Sequence, residues 1–499
     1  MGNILNDDYP TLFSRLKDYS QSGAAPFHMP GHKRNPSGIE FLEKLGARYD
    51  ITEISAFDDL HHPQGILAEA MEKAAAIWKS DRCFFLVNGS TCGILAAVRA
   101  AAKTSGSSKI IMARNSHRSV YNAAELCGLT PVYLAPQSAE DFGFCGSISP
   151  KAVELSVLDN PGAPVILTSP TYEGVISNIS EIAIICHLHG SALIVDEAHG
   201  AHLDLSPSFK GGAIRAGADI VVQSLHKTMT GLTQSGLLHL CGGLISAEDI
   251  QRELAVFETS SPSYLLMASI DGTAYLVSKR GGELFSAWQA RLDLFDRLVA
   301  PLQNIKIPGH SQLFDCQKQK SCPGYQKKGI ESPEIYGFDR SKIIISVEGT
   351  DTTGVAVFNE LRSRFGLECE LAAGGYALAM TGLLDTEDSI RRLGRALCVL
   401  DGETRLTLPR LPQKQPKIPP ARLGISEALS SPRKKLALRD AQGKISAEYV
   451  WAYPPGIPLV TPGEELTSEL LTGFIIQREA GVSLRSTFGG MPKTIETLR

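Results

Sequence analysis

The chain has 499 residues, of which 43% are hydrophobic and 20% charged, and its formal net charge is −4 at pH 7. The length predicts two to four domains with a large core, and the composition is typical of globular proteins. The slightly acidic balance disfavours nucleic acid or an anionic membrane as a partner. Apolar runs such as residues 182–186 are far shorter than the ~20 residues that span a bilayer, so we expect no membrane segment.

The cysteines and the N-terminus indicate the compartment. Ten cysteines are scattered without a C-x-x-C pair, which favours reduced thiols over a disulfide framework or a zinc site. The first residues, MGNILNDDYP, are acidic where a signal peptide would be basic and then apolar. The sequence therefore predicts a cytoplasmic protein without a metal site.

Residues 1–65 form a polar, turn-rich arm with little periodicity. The arm contains FHMPGHKRN (residues 27–35) and ITEISAFDDLHHPQG (residues 51–65). We expect a docking arm, with the alternative that some of its polar side chains line a site.

Residues 66–303 alternate helical runs with short apolar strands. The first are helix 66–78, strand CFFLV and the helix CGILAAVRAAA, which NGST is expected to cap. Further strands are expected within KIIMA, TPVYLA, PVILTSPTYEG, ALIVDEAHGAH and ADIVVQS, and GLLHLCGGLISAEDI with the helical run from Gln251 is expected to close the large domain. This alternation predicts an α/β fold whose large, doubly wound, mostly parallel sheet is covered on both faces.

The regular alternation ends near residue 304, at IPGH, SCPGYQKKG and ESPEIYG. A smaller αβ domain is expected over 304–408, with strands in SKIIISV, LECELA and YALAMT and helices in TTGVAVFNELRSRFG and DTEDSIRRLGRALCVL. The Pro-rich stretch 408–420 is typical of a linker. Residues 421–499 are expected to form a C-terminal domain with a helix within ELTSELLTGFIIQREAG.

One lysine, Lys227, follows an apolar strand in ADIVVQSLHKTM (residues 218–229). A lysine at the end of a buried strand can lose hydration, and hydration keeps an amine protonated. The neutral amine is the nucleophile that forms a Schiff base with an aldehyde cofactor. Many buried strands are followed by an ordinary surface lysine, so the neighbouring strand ends decide between the two interpretations.

Ligands bind outside the carboxyl ends of the strands in such a sheet. The strand ends here carry Gly89-Ser90-Thr91, His117, Thr168, Asp196 and Ser224–Lys227. A strand that leads through Gly89-Ser90-Thr91 into a helix presents backbone N–H groups and hydroxyls to an anion, although a plain helix cap explains the same residues. One edge thus collects anion donors, an imidazole, a carboxylate and an amine.

These groups match what pyridoxal phosphate needs from a protein: an amine for the aldehyde, donors for the phosphate, a carboxylate for the pyridine nitrogen, and one flat and one small neighbour for the ring faces. In that order the candidates are Lys227; Gly89, Ser90, Thr91, Ser224 and His226; Asp196; His117; and Ala198, which is expected two residues after Asp196 on the same strand face.

The chain resembles the bacterial ornithine/lysine/arginine decarboxylase family, which has the aspartate-aminotransferase fold type. The matching stretches, in family order between about residues 27 and 464, are FHMPGHKRN, DDLHHPQG, VNGSTCG, ARNSHRSV, LTSPTYEG, VDEAHGAHL, SLHKTMTGLTQ and YPPGIPLVTPGE. The resemblance implies that Lys227 is the Schiff-base lysine, Asp196 the pyridinium partner and His117 the stacking imidazole. It also implies that Ser90, Thr91, Ser224 and His226 contact the phosphate.

The same resemblance implies decarboxylation of a basic L-amino acid to its amine, which would feed polyamine synthesis. No receiver-like domain precedes FHMPGHKRN, so the chain is similar to the shorter, biosynthetic type, which favours arginine over lysine or ornithine. A two-fold homodimer with sites built from both subunits is implied as well.

The distal cation of such a substrate needs a carboxylate. Glu370, within LECELA, matches a family glutamate and is the candidate for substrate binding. Asp50, Glu53, Asp58 and Asp59 of the arm are alternatives, although a solvated acidic surface explains most of them.

Other functions stay open at this point. One is a different reaction on the same cofactor, by an aminotransferase or a lyase, since a fold does not fix a function. An aminotransferase usually holds the substrate α-carboxylate with an arginine, and GYALAMTG, where one is expected, contains none. Another is a catalytically inactive regulatory homologue, which the intact Lys227, Asp196 and His117 disfavour.

Two further patterns are weak. DEAH (residues 196–199) is also a helicase motif, but the phosphate loop that a helicase requires is absent from the sequence. His199, His202 and Asp204 suggest a metal, yet further ligands at zinc spacing are missing, so we expect a structural role or a role in supporting other site residues.

Overall fold

The structure, a computed structural model, describes residues 11–35, 37–139, 143–310, 334–407, 417–452 and 456–499. Five predicted features lie partly or wholly outside the described residues. They are the start of the arm (1–10), the interruption at SCPGYQKKG, the start of ESPEIYG (331–333), the start of the linker (408–416) and the YPP of the YPPGIPLVTPGE stretch (453–455).

The helices and strands of the described residues follow each other in alternation. The helices are α1 (Leu12–Gln21), α2 (Glu40–Lys44), α3 (Ile66–Trp78), α4 (Gly89–Ser105), α5 (Arg118–Leu126), α6 (Pro150–Asp159), α7 (Ile179–Leu188), α8 (Leu225–Thr228), α9 (Ala247–Phe257), α10 (Tyr264–Val299), α11 (Gly354–Phe365), α12 (Glu387–Glu403), α13 (Ile425–Ser430) and α14 (Ser468–Glu479). The strands are β1 (Arg82–Leu86), β2 (Lys109–Ala113), β3 (Thr130–Leu134), β4 (Ser138–Ala139), β5 (Phe144–Cys145), β6 (Val165–Thr168), β7 (Val175–Ile176), β8 (Leu193–Asp196), β9 (Ile220–Ser224), β10 (Gly236–Leu240), β11 (Gly337–Phe338), β12 (Lys342–Ser346), β13 (Leu371–Ala372), β14 (Tyr376–Met380), β15 (Arg433–Ala437), β16 (Val450–Ala452), β17 (Pro458–Val460), β18 (Leu484–Ser486) and β19 (Thr494–Leu498).

A seven-stranded sheet, in the order β1-β10-β9-β8-β6-β2-β3, forms the centre of the molecule. The pairs from β9 to β3 are parallel, which confirms the prediction of a mostly parallel sheet. Strand β10, whose segment was predicted only to close the large domain, is antiparallel to both of its neighbours. Because β1 and β9 are each antiparallel to β10, they run in the same direction.

Apolar side chains cover both faces of this sheet. Ile194 of β8 packs with α4, α5 and α9 on one face, whereas its neighbour Val195 packs with α6 and α7 on the other. This is the alternation of side chains along a strand. Helices α3 and α10 complete the cover around Phe85 and Leu237.

The arm contains a helix that its polar composition did not predict. Leu12 and Leu16 of α1 are buried one helical turn apart. The backbone N–H of Leu12 donates to the buried carboxylate of Asp271 on α10 at 2.6 Å. The arm is therefore anchored to the core by its first described helix.

A smaller sheet follows, in the order β12-β14-β13, and packs with α11 and α12. The strand predicted over LECELA shortens to β13, so Glu370 lies just before a strand. Beyond it, the sheet β17-β16-β18 packs with α14. The units follow the predicted order, and the four predicted domain boundaries stay a prediction.

Helix α10 joins two of the hydrophobic cores. Its first half, from Tyr264, belongs to the core of the large sheet, and its last turns, with Phe295 and Val299, belong to the core of the smaller sheet. Within the described ranges, helices with the length and apolar character needed to cross a membrane are absent.

Candidate active site

The predicted site residues lie at one edge of the large sheet. Strands β1, β2, β6, β8 and β9 point the same way, so their carboxyl ends meet at that edge. Thr168 and Asp196 end β6 and β8, and Gly89, His117 and Lys227 follow β1, β2 and β9 within a few residues. The sheet topology thus brings the predicted site residues to one edge of the sheet.

Lys227 lies on α8, a single turn that begins directly after β9. Its Nζ is 2.9 Å from Nε2 of His199 and 5.3 Å from the centre of the Tyr172 ring. Burial lowers the pKa of Lys227, against the charges of Asp196 and Glu370, which raise it. A lysine whose charged form is disfavoured has the neutral amine that attacks an aldehyde.

Asp196 is the buried last residue of β8. Its Oδ1 accepts the backbone N–H of Ala198 at 3.1 Å, which holds the carboxylate in place. Burial raises the pKa of Asp196, and the charge of Lys227 is the strongest opposing influence. The charges of the acid and the amine therefore act on each other. Since β8 ends at Asp196, Ala198 lies in the following turn and not on the strand face that was expected to carry it.

His117 is the N-cap of α5. Its Nδ1 accepts the backbone N–H of Ser119 at 3.3 Å and lies 2.9 Å from the Ser119 hydroxyl. Burial, with the charges of Lys227 and Arg118, lowers the pKa of His117 to about 4. The imidazole is therefore neutral at pH 7, flat, and fixed by its capping bonds, as a stacking partner must be.

The first turn of α4 lies beside the start of α8. Helix α4 begins at Gly89 (φ 73°), and its cap is Asn88, which makes no side-chain capping bond. Ser90 and Thr91 are thus inside the helix, so the expectation that they cap it is wrong. The N–H groups of this turn lack a side-chain cap, and such a turn attracts an anion.

Side chains add further donors to this turn. The hydroxyls of Ser90 and Ser224 are hydrogen-bonded to each other at 2.5 Å. His226 binds the carbonyl of Ser235 through Nδ1 at 2.9 Å, and burial lowers its pKa. Thr91 is exposed. The two serine hydroxyls and the backbone N–H groups of this turn beyond Gly89 are donors that fit a phosphate dianion. His226, whose Nδ1–H already donates to the Ser235 carbonyl, adds a donor when Nε2 is protonated as well.

Several buried polar atoms next to these residues are without a hydrogen-bond partner among the described residues. They include Ser116 Oγ after β2, Thr168 Oγ1 at the end of β6 and His199 Nδ1 after β8. Buried polar atoms are normally paired, so these strand ends suit a bound polar molecule. With the amine, carboxylate and phosphate donors, they fit the predicted pyridoxal phosphate.

His199 lies in direct contact with the predicted Schiff-base lysine. The sequence predicted a structural or supporting role; the His199 imidazole contacts the Lys227 amine, and its ring centre is 4.0 Å from that of Tyr172. Burial and the Lys227 charge hold the pKa of His199 well below its ordinary value. The signal was its position three residues after Asp196, at the same strand end.

The candidate substrate acids differ in their surroundings. Glu370 is exposed, and its charge acts on Lys227. The arm acids have local partners: Asp50 with His32 (3.1 Å), Glu53 with the Thr52 hydroxyl (2.8 Å), Asp58 with the N–H groups of Gly65 (2.7 Å) and Leu67 (3.1 Å), and Asp59 with the N–H of His61 (2.8 Å). Asp58 thus caps α3, which favours a structural role.

The two histidines once considered as metal ligands have separate partners. His202 bonds to Thr228 and Asp339, and His199 to Lys227. Clusters of three or more His, Cys, Asp or Glu side chains that could hold a metal are absent from the part of the chain that the structure describes.

Comparisons with known proteins show the family to which this chain is similar. The family description Orn/Lys/Arg decarboxylase, major domain, matches residues 10–359, and Orn/Lys/Arg decarboxylase, C-terminal domain, matches residues 414–484. An arginine decarboxylase of Halalkalibacterium halodurans is 31% identical over 496 residues, 98% of this chain and 96% of that protein. An arginine decarboxylase of Bacillus anthracis is 30% identical over the same shares.

A similar fold occurs in a solved structure, the constitutive lysine decarboxylase of Escherichia coli. Its TM-score is 0.78 at 19% identity, over 100% of this chain and 82% of that chain. At this identity the likeness concerns the fold.

Proposed function

Because this chain belongs to the Orn/Lys/Arg decarboxylase family, whose members are pyridoxal-phosphate-dependent enzymes, we propose that it removes the α-carboxylate of L-arginine as carbon dioxide and leaves agmatine. The observation that carries the choice of arginine is the 30–31% identity to arginine decarboxylases over nearly the whole chain. Lysine and ornithine are the next candidates. The amine product would feed polyamine synthesis.

Pyridoxal phosphate, when bound, supplies an electron sink for the electron pair that remains when the carboxylate leaves. Lys227 would bind its aldehyde, because burial favours the neutral amine. The first turn of α4, with Ser90, Ser224 and His226, would hold its phosphate.

Asp196 would keep a proton on the ring nitrogen. The Asp196 carboxylate is buried and fixed by the N–H of Ala198, so it can face a single cationic group without competition from water. A proton held there is what makes the ring an electron acceptor. His117, neutral and fixed by its cap, would stack on one ring face and Ala198 would pack on the other.

The substrate would be held mainly by its distal end. Glu370 is exposed and within electrostatic reach of Lys227, so it is the candidate for binding the guanidinium. The α-carboxylate must be free to leave, and the segment around β14, GYALAMTG, has no arginine to hold it. After the loss of carbon dioxide, Lys227 or a nearby group would return a proton to Cα.

Release of carbon dioxide tests this function. The protein with pyridoxal phosphate is incubated with arginine, lysine and ornithine in separate assays, and we expect release from arginine to be fastest. Lys227→Ala should lose both this activity and the visible absorption of the bound cofactor, because the amine that binds the aldehyde is gone.

Three results would contradict the proposal. Preference for lysine or ornithine would overturn the choice of arginine. Transfer of an amino group to an α-keto acid without release of carbon dioxide would indicate an aminotransferase. A colourless parent protein would indicate an inactive homologue.

The assembly and the compartment extend this proposal. We expect a two-fold homodimer whose sites use both copies, because the arm leaves Phe27, Met29 and Phe41 exposed, and Phe27 is 96% exposed. Eight cysteines of the described residues are free thiols, which suits the reducing cytoplasm.

A further inference from the structure

A buried ion pair from the smaller sheet lies against the segment that carries Lys227. Lys342 opens β12, and Asp339 precedes it by three residues; both side chains are fully buried, with Nζ 2.9 Å from Oδ2. Lys342 Nζ also donates to the Ser341 hydroxyl at 2.7 Å and to the His199 carbonyl at 3.1 Å. Three acceptors satisfy the three N–H groups of an ammonium, so this side chain is held in one position.

The other carboxylate oxygen of Asp339 is connected through His202 to Thr228, the residue after Lys227. Asp339 Oδ1 is 3.1 Å from His202 Nε2, and His202 Nδ1 is 3.1 Å from the Thr228 hydroxyl. Thr228 follows Lys227 directly. The same ion pair thus holds the backbone of His199, whose imidazole contacts the Lys227 amine, and the side chain of Thr228.

Stability does not explain why these charges are buried. Removing two charges from water costs about as much as their attraction returns, so apolar residues of similar size are often at least as stabilising. The hydrogen bonds of the pair instead lead to residues around Lys227. Lys342 binds the carbonyl of His199, and Asp339 is linked through His202 to Thr228. We propose that Lys342 and Asp339 are positioning residues for Lys227, an inference that rests on Lys227 being the cofactor-binding amine.

The pair also brings a positive charge towards the Lys227 amine. The charge of Lys342 lowers the pKa of Lys227 in the same direction as burial. Although burial alone would raise it, Lys342 and His202 hold the pKa of Asp339 well below its ordinary value, so the carboxylate is charged and compensated. The titratable and charged groups around Lys227 are Asp196, His199, His117, Tyr172, His226, Glu370 and Lys342.

The test is capture of pyridoxal phosphate by the apoprotein as a function of pH, followed by visible absorption. The double variant Lys342→Met/Asp339→Asn removes both charges and leaves none unpaired. We expect the pH midpoint of capture to rise by about one unit, and capture at neutral pH to be about tenfold slower, because less of the Lys227 amine is neutral. We expect kcat for decarboxylation to fall about tenfold with KM nearly unchanged, as for a group that positions the amine without contacting substrate.

Three further variants separate positioning from a loss of folding. Thr228→Val keeps the shape of the side chain but removes the hydroxyl that His202 binds, so kcat should fall about threefold, and Thr228→Ser should restore it. Lys103→Met is the matched control. Lys103 forms an ion pair with the buried Glu253, which in the variant still pairs with Arg99 at 3.2 Å. Lys103 and Glu253 do not contact the Lys227 segment, so the pH midpoint of capture should stay unchanged.

A folded double variant with the parent's capture midpoint and kcat would overturn the proposal, as would a Thr228→Val variant with unchanged kcat and midpoint. If the midpoint moves while the parent protein decarboxylates no basic amino acid, the positioning role stands and the proposed function fails. Capture of pyridoxal phosphate is thus measured independently of the substrate.

Discussion

At the scale of single residues, the environment of each acid decides its function. Asp196 and Asp339 are both buried, yet they differ in the charge next to them. Asp339 has a fixed ammonium and an imidazole as partners, whereas Asp196 has a backbone N–H and the charge of Lys227 at a distance. Asp196 thus keeps an oxygen available for a bound group, and Asp339 is committed to structure.

The substrate-binding role of Glu370 can be tested with a neighbour on the same segment. Glu370→Gln should raise KM for arginine about tenfold, because a charged hydrogen bond to the guanidinium becomes a neutral one, while kcat changes less. Glu368→Gln is the control, since Glu368 is exposed and pairs with Arg362 at 2.9 Å. Equal effects of the two substitutions, or none from Glu370→Gln, would point to another acid.

The sequence could predict the residues that chemistry places at strand ends, but not those that reach the site from elsewhere. Lys227 and His117 follow apolar strands and Asp196 ends one, so the sheet topology brings all three to one edge. The contact of Lys342 with His199 joins positions 143 residues apart, and local periodicity holds no information on such a pairing. The roles of all these residues remain predictions.

At the scale of elements, the start of α4 is held by hydrogen bonds from Glu258 and Thr259, the two residues that follow α9; we call these two residues the brace. Glu258, directly after α9, accepts the backbone N–H of Val87 at 2.9 Å and lies 3.6 Å from the Cys92 thiol. Thr259 donates its N–H to the side chain of Asn88 at 3.2 Å. The turn proposed to bind phosphate is therefore fixed from behind.

This brace should make stability depend on pH. Burial raises the pKa of Glu258 from 4.5 to about 7. The folded state binds the Glu258 proton more tightly than the unfolded state does. The contribution of Glu258 to the free energy of unfolding, about a few kcal/mol, is therefore complete below about pH 4.5 and is lost as the pH rises through about 7. Glu258→Gln stays neutral and keeps the oxygen that accepts from Val87, so its Tm should exceed that of the parent protein at pH 8 but not at pH 5.

The exposed Glu403 provides the comparison, since it pairs with Arg364 at the surface. Glu403→Gln should leave the pH dependence of Tm unaltered. A constant difference in Tm between Glu258→Gln and the parent protein at both pH values would argue against titration of this group.

Elements were predictable where their pattern was long and regular. Helix 66–78 was predicted to the residue, because its apolar positions repeat over three turns. Helix α1 was missed because only Leu12 and Leu16 mark its buried face. Strand β10 was missed because GLLHL is a short apolar run, which alone does not distinguish a strand from a buried helix.

At the scale of the whole molecule, the exposed apolar side chains of the arm bear on assembly. Replacing Phe27 and Met29 by serine should shift the protein from dimer to monomer in light scattering, because contiguous exposed apolar surface usually marks an interface. Activity should fall with it if the site uses both copies. Leu188→Ser, at the exposed end of α7, is the control and should leave the mass unchanged.

A dimeric Phe27→Ser/Met29→Ser variant would show that this part of the arm does not hold two copies together. A monomer with full activity would show that one chain suffices for the reaction.

The continuity of α10 has a consequence for how the molecule comes apart. Its 36 residues extend about 54 Å as one rod. Residues of that helix belong to the hydrophobic cores of two different units. If one unit unfolds, the other therefore loses part of its core. Heating should therefore give a single calorimetric transition for both, and amide protons along the whole rod should exchange at one common slow rate.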